Sequence, residues 1–133
     1  TMVMERSESV ALTNLPHGTD TTGLFRIVTQ RDEIGVVQPS IPTATPEEMT
    51  FVRVGAEPTN FLVVRRSSEA PDRDLFTESE RDSVARLLLQ LHDHFATRVY
   101  GTLVPLRLDV EFDVNAQGQA VFKQARPYLG ATP

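Results

Sequence analysis

An unbroken alternation of apolar and polar residues runs through Leu108-Asp109-Val110-Glu111-Phe112-Asp113-Val114. The side-chain period of a β-strand is two, so Leu108, Val110, Phe112 and Val114 share one face and three carboxylates share the other. Asn115-Ala116-Gln117-Gly118 has turn chemistry: Asn to open it, Gly to accept a positive φ. Ala120 to Pro127 is then expected to return antiparallel. With a four-residue loop, Ala120, Phe122, Gln124 and Arg126 share the face of the acids, Asp109 lies opposite Gln124, and Glu111 lies opposite Phe122.

One helix is predicted from about Glu78 to Thr97. Thr77 and Glu80 make a capping box at its start. Val84, Leu87, Leu88, Leu91 and Phe95 then recur at helical spacing, and Tyr100-Gly101-Thr102 ends it. Strand-like runs are read at residues 2–4, 10–14, 24–30 and 36–38, with Glu5 to Ser9 as a polar joint and His17 to Gly23 as a loop. Met49 to Val54 and Phe61 to Arg66 suggest a hairpin. Pro39, Pro42 and Pro46 exclude regular helix or central strand between residues 39 and 46. Glu47-Glu48 reads as a turn or a first helical turn, where acids suit the helix dipole. These elements predict an α+β fold, a mostly antiparallel sheet packed against one long helix.

Composition narrows the function classes. The 133 residues suffice for a single domain with a real core. A net charge of −5 argues against non-specific nucleic-acid binding. There is no cysteine, which excludes thiol catalysis and thiolate metal sites and fits a reducing cytosol. No apolar run approaches the ~20 residues of a membrane span. A cytoplasmic location, with neither membrane nor nucleic acid as partner, is the expectation.

Candidate chemistry concentrates at the alternating segment. Asp109, Glu111 and Asp113 repel one another unless something positive sits among them. Arg126 is one candidate and a divalent cation is another. Mg²⁺ takes oxygen ligands, often one or two carboxylates with substrate phosphate oxygens, and an Arg beside it can hold a phosphoryl group. The plainer reading, a solvated strand face, stays open, because half-buried antiparallel strands commonly present polar residues outward. His92 and His94 stand two residues apart on the helix, on different faces, which does not suit a zinc pair. Gly-x-x-x-x-Gly-Lys-Ser/Thr and Gly-x-Gly-x-x-Gly loops are absent, and no Ser, His and acid combination suggests nucleophilic hydrolysis. Arg65-Arg66 is read as a solvated strand end.

Asp109-Val110-Glu111-Phe112 followed by Lys123-Gln124-Ala125-Arg126-Pro127-Tyr128 resembles the end of the ATP-binding domain of the pyruvate phosphate dikinase and phosphoenolpyruvate synthase family. That family closes its ATP-grasp fold with an acid-x-acid strand and a Gln-x-Arg-Pro strand. Val10-Ala11-Leu12-Thr13-Asn14-Leu15-Pro16 is similar to its "GVA-(F/L)-T-x-N-P" strand. Thr29-Gln30, Val36-Val37 and Pro46-Glu47-Glu48 are similar to its "Q-x-G-E…V-x-(N/Q)-P…P-E-E" stretch. Glu8-Ser9 departs from the Asn-Gly or Ala-Gly usual before Val-Ala. The resemblance implies that residues 1–133 are the later ATP-grasp subdomain of a longer ATP-dependent phosphotransferase, a kinase-type transferase with ATP and magnesium as cofactors. It implies that Glu111 and Gln124 hold the metal-bound phosphates, that Asp109 is a metal or supporting ligand, and that Arg126 supports the transferring phosphoryl group. The partners it implies are the glycine-rich N-terminal half of the clamp and a phosphohistidine domain. The isolated chain is expected to be inactive. The rival expectation is a non-catalytic binding or structural module that retains the fold.

Overall fold

The computed structural model describes residues 5–17, 21–31, 34–36, 40–99 and 106–128. The expected strand at residues 2–4, most of that at 36–38 and the helix stop at residues 100–102 lie outside them. Six strands, β1 (Glu5–His17), β2 (Thr21–Arg31), β3 (Glu47–Val54), β4 (Glu57–Arg65), β5 (Leu108–Asn115) and β6 (Ala120–Pro127), form one antiparallel sheet. Its order is β4-β3-β2-β1-β5-β6. The first four strands are a meander. Helix α1 (Glu78–His94) then carries the chain back from the β4 edge, so that β5 docks on the free side of β1. The fold is α+β, as the periodicities predict.

The helix covers one sheet face. Phe25, Ile27, Met49, Phe51, Val110 and Phe112 point to it and meet Val84, Ala85, Leu88 and Leu89 in the core. Phe25 and Phe51 stack at 4.9 Å between centroids, and Phe61 leans on Phe51 at 5.4 Å. The capping box forms as expected: Glu80 N donates to Thr77 Oγ1 at 3.2 Å and Thr77 N to Glu80 Oε1 at 2.8 Å. Outside the core, Arg53 grips Asp93 with two bonds of 2.6 and 2.9 Å and ties the helix to β3.

Several expectations change. The loop read at His17 to Gly23 is strand at both ends, because β1 runs to His17 and β2 begins at Thr21. β1 runs unbroken through Glu5–Ser9, because Ser7, Ser9, Ala11 and Thr13 all point inward. They carry the strand period in small residues that a hydrophobic pattern does not register, and Ser9 and Thr29 satisfy each other at 2.9 Å. Glu47 and Glu48 open β3 rather than a turn: Glu47 is buried and accepts from Leu75 N at 2.8 Å, and Glu48 pairs with Arg26. The α-helix ends at His94, and Phe95–Val99 follows as a short π-helix. Among the described residues, no helix is long and apolar enough to cross a membrane.

Candidate functional site

The acids stand on the face of the sheet that the helix does not cover. Inward, Leu108, Val110, Phe112 and Val114 are buried; outward, Asp109 and Glu111 are half-buried. The register differs from the expected one by two residues. Asp109 lies opposite Arg126, and Glu111 opposite Gln124. Two local events cause this. Asn115 stays in the ladder, donating its N–H to Gln119 O at 2.9 Å, while its side-chain Oδ1 accepts from Gln117 N at 2.9 Å and Gln119 N at 3.0 Å. This tighter turn shifts the pairing by one. A bulge at Lys123 shifts it by one more.

Each single shift reverses the faces and the pair restores them. Gln124 and Arg126 therefore share the acids' face, as expected. Ala120 and Phe122, expected beside them, fall between the two shifts and pair instead with inward-facing Val114 and Phe112. The Arg126 Nη2 donates to Asp109 Oδ2 at 3.4 Å, with side-chain exposures of 70% and 21%.

Asp113 departs from its two neighbours. Its side chain is only 1% exposed and is bound by Lys123 Nζ at 3.2 Å. Its other oxygen, Oδ1, is buried without a hydrogen-bond partner among the described residues. Glu8 lies opposite it in register and accepts from Val36 N at 3.4 Å, so the segment after β2 folds back over this end of the sheet. The open platform is thus the two pairs nearer the far end of the hairpin. The bulged residue supplies the cation that neutralises Asp113, a role the local pattern of β6 does not announce.

Strand order extends the platform. The row through Asp109 runs Arg126, Asp109, Leu12, Arg26, Thr50, Leu62. The row through Glu111 runs Gln124, Glu111, Val10, Val28, Glu48, Arg65. Arg26 Nη2 bonds Glu48 Oε1 at 3.0 Å, and Arg65 Nη2 stands 4.0 Å from the same oxygen. Arg26 stands in no motif, the stretch that holds Glu48 is assigned no chemistry in sequence, and only the strand order β3-β2-β1-β5 brings them onto the face of the acids. On the other side of the sheet, two depressions flank the helix. One of about 470 Å³ is lined by Glu78, Ser79, Arg81 and Asp82, and one of about 260 Å³ by residues that include Glu57, Arg86 and Asp93. Neither involves the hairpin.

His92 is a core residue. It is 6% exposed, edge-on to Phe25, and its Nδ1 lies 2.8 Å from Thr13 Oγ1. Burial pushes its pKa below the ordinary value. Thr13 Oγ1 also accepts the Leu108 N–H at 2.9 Å, so the start of β5, one residue before Asp109, is held by this pair.

Among the described residues, no three His, Asp or Glu side chains converge in a way that would cage a metal ion. Asp109, Glu111 and Gln124 occupy adjacent cross-strand positions on one face, and an ion of the magnesium kind takes only one or two carboxylates from a protein, with waters and substrate oxygens completing its shell. No known protein-family model and no curated protein matches the chain.

Proposed function

We propose that the open face of the β5–β6 hairpin binds the magnesium-bound phosphates of ATP. It would serve as the metal-phosphate side of a nucleotide clamp in a phosphotransferase of the pyruvate phosphate dikinase and phosphoenolpyruvate synthase type. The observation that carries this reading is the register of the hairpin, which sets Asp109 opposite Arg126, in contact at 3.4 Å, and Glu111 opposite Gln124, side by side on the outward face. Glu111, Gln124 and Asp109 would hold the ion, which supplies charge neutralisation for the phosphates when bound. Arg126 offers planar paired donors to a phosphoryl oxygen, and its long contact to Asp109 gives up little when it turns to a ligand.

Phosphoryl transfer rests on positioning and charge stabilisation from all sides of the phosphate chain. A flat platform surrounds it on one side only. A second, glycine-rich basic half and a carrier histidine belong to other parts of the proposed parent, and this chain alone turns nothing over.

The test is titration of the chain with ATP, with and without Mg²⁺, by calorimetry and by amide NMR. Expected are weak, magnesium-dependent binding with shifts confined to β5 and β6, and its loss in Glu111→Ala and Arg126→Ala with circular dichroism unchanged. Absence of magnesium-dependent shifts at millimolar ATP refutes the reading. A second reading, a non-catalytic binding module, is favoured by one observation. Asp109 and Asp113 already find counter-charges within the hairpin, in Arg126 and Lys123. Under that reading the same titration leaves the hairpin amides unmoved.

A further inference from the structure

The outward face carries a second cationic group that the hairpin does not account for. Arg26 and Arg65 both approach one carboxylate oxygen of Glu48, at 3.0 and 4.0 Å. Two guanidiniums share one acid, so this cluster keeps a surplus positive charge. Arg26 is 42% exposed, yet its Nε is buried and has no hydrogen-bond partner among the described residues. A guanidinium with an idle, desolvated donor gains most from a ligand oxygen that reaches it. Arg65 can keep Glu48 neutral when Arg26 lets go, so the exchange leaves no bare carboxylate behind.

Position decides what ligand this serves. Arg26 stands in the same cross-strand row as Asp109 and Arg126, with Leu12 between it and Asp109. Strands lie about 4.8 Å apart, so Arg26 starts roughly 9.6 Å from Asp109 on one side, while Arg126 starts one spacing away on the other. One phosphate group seated at Asp109 and Arg126 is out of easy reach of Arg26. A chain of phosphates running from the acidic pair across Leu12 can touch both arginines.

We infer that Arg26 is a second phosphate-binding residue of this face, selecting polyphosphate chains over single phosphates. This deepens the nucleotide reading above and rests on it. Arg26 would leave Glu48, turn toward β1 and donate to the end of the chain remote from Arg126.

The experiment compares magnesium tripolyphosphate with magnesium and inorganic phosphate, by calorimetry and NMR, on the wild-type chain, Arg26→Ala, Arg26→Lys, Glu111→Ala and Arg86→Ala. Arg86 lies on the helix and pairs with Glu57 and Asp82, so its loss changes net charge equally but far from the platform. Expected is a roughly tenfold weakening of tripolyphosphate in Arg26→Ala, partial recovery in Arg26→Lys, and no change for single phosphate or in Arg86→Ala. If Arg26→Ala matches wild type while Glu111→Ala loses binding, the role of Arg26 is overturned and the hairpin platform stands. Equal weakening by Arg26→Ala and Arg86→Ala, or of both anions, also overturns it and leaves only general electrostatic attraction. If the wild-type chain binds no tripolyphosphate, both readings fall.

Discussion

The buried contact between Thr13 and His92 makes a quantitative claim that Thr13→Val tests with almost no change of shape. The hydroxyl joins three elements. It accepts the Leu108 N–H at 2.9 Å and lies 2.8 Å from His92 Nδ1, tying β1 to the head of β5 and to the last turn of α1. Its proton finds a partner when His92 is neutral and accepts at Nδ1. Valine keeps the β-branched shape and strand preference of threonine, so packing is little altered. What changes is that the Leu108 N–H and the imidazole nitrogen lose their partner in a dry site. A buried group left unsatisfied costs about 1–3 kcal/mol, so the pair should cost roughly 2–6 kcal/mol. With a urea m-value of about 2 kcal/mol/M, the midpoint should fall by roughly 1–3 M.

The assay is urea unfolding followed by circular dichroism, run on Thr13→Val, His92→Leu and the double variant. Coupled groups predict that the double variant costs clearly less than the two single costs together. A Thr13→Val loss below about 0.5 kcal/mol, within the range of ordinary surface changes, or strict additivity with His92→Leu, defeats the argument. NMR of Thr13→Val should place its largest amide shifts at Leu108 and Asp109. The head of β5 is where the fold and the proposed site meet.

Further outcomes follow from the same geometry. Burial lowers the pKa of His92 from its ordinary 6.5, so the native state resists the proton that the unfolded chain accepts; stability should be full above pH 6.5 and decline as pH falls below it, and His92→Leu should flatten that slope. Glu47 has the opposite sign: burial raises its pKa above the ordinary 4.5, so its ionised form weakens the fold as pH rises through the raised value. Glu47→Gln, which can still accept from Leu75 N, should stabilise the protein at neutral pH, with the gain shrinking as pH falls toward 4.5. Gly118→Ala should lower the melting temperature, by a cost of about 1–2 kcal/mol, because φ is +79° and the added Cβ would lie 2.6 Å from Glu80 Oε2, disturbing the capping box as well as the turn. Glu111→Ala should leave the unfolding free energy within about 0.5 kcal/mol of wild type, since the side chain is half-buried and has no hydrogen bond among the described residues.

Local chemistry was enough for the elements with strong periods. The capping box at Thr77 and Glu80 is written in two residues, and its bonds form as the spacing requires. The alternation from Leu108 to Val114 is carried by large apolar groups and needs no partner to be read. Where the inward positions are small, as in Ser7, Ser9 and Ala11, the same period is silent in hydropathy, because burial there is decided by what neighbouring strands and the helix bring over them. Glu47-Glu48 was equally illegible. A buried carboxylate is tolerated there because Leu75, far along the chain, delivers an N–H to it, with the charge of Arg66 nearby.

The amino-acid order alone determined that an acidic strand and an amide-and-guanidinium strand meet in a hairpin, since adjacency in sequence and a turn suffice for that. Which residues face each other was settled by a tightened turn and a bulge, two single-residue shifts that cancel in face but not in register. Whether a carboxylate stays open was a matter of long-range covering: Asp109 and Glu111 remain half-buried, and Asp113, two residues on, is closed off with Lys123. The placing of Arg26 in line with Asp109 is tertiary in the strictest sense. It depends on helix α1 returning the chain so that β5 pairs with β1, and no local preference encodes which free strand edge a distant strand will take.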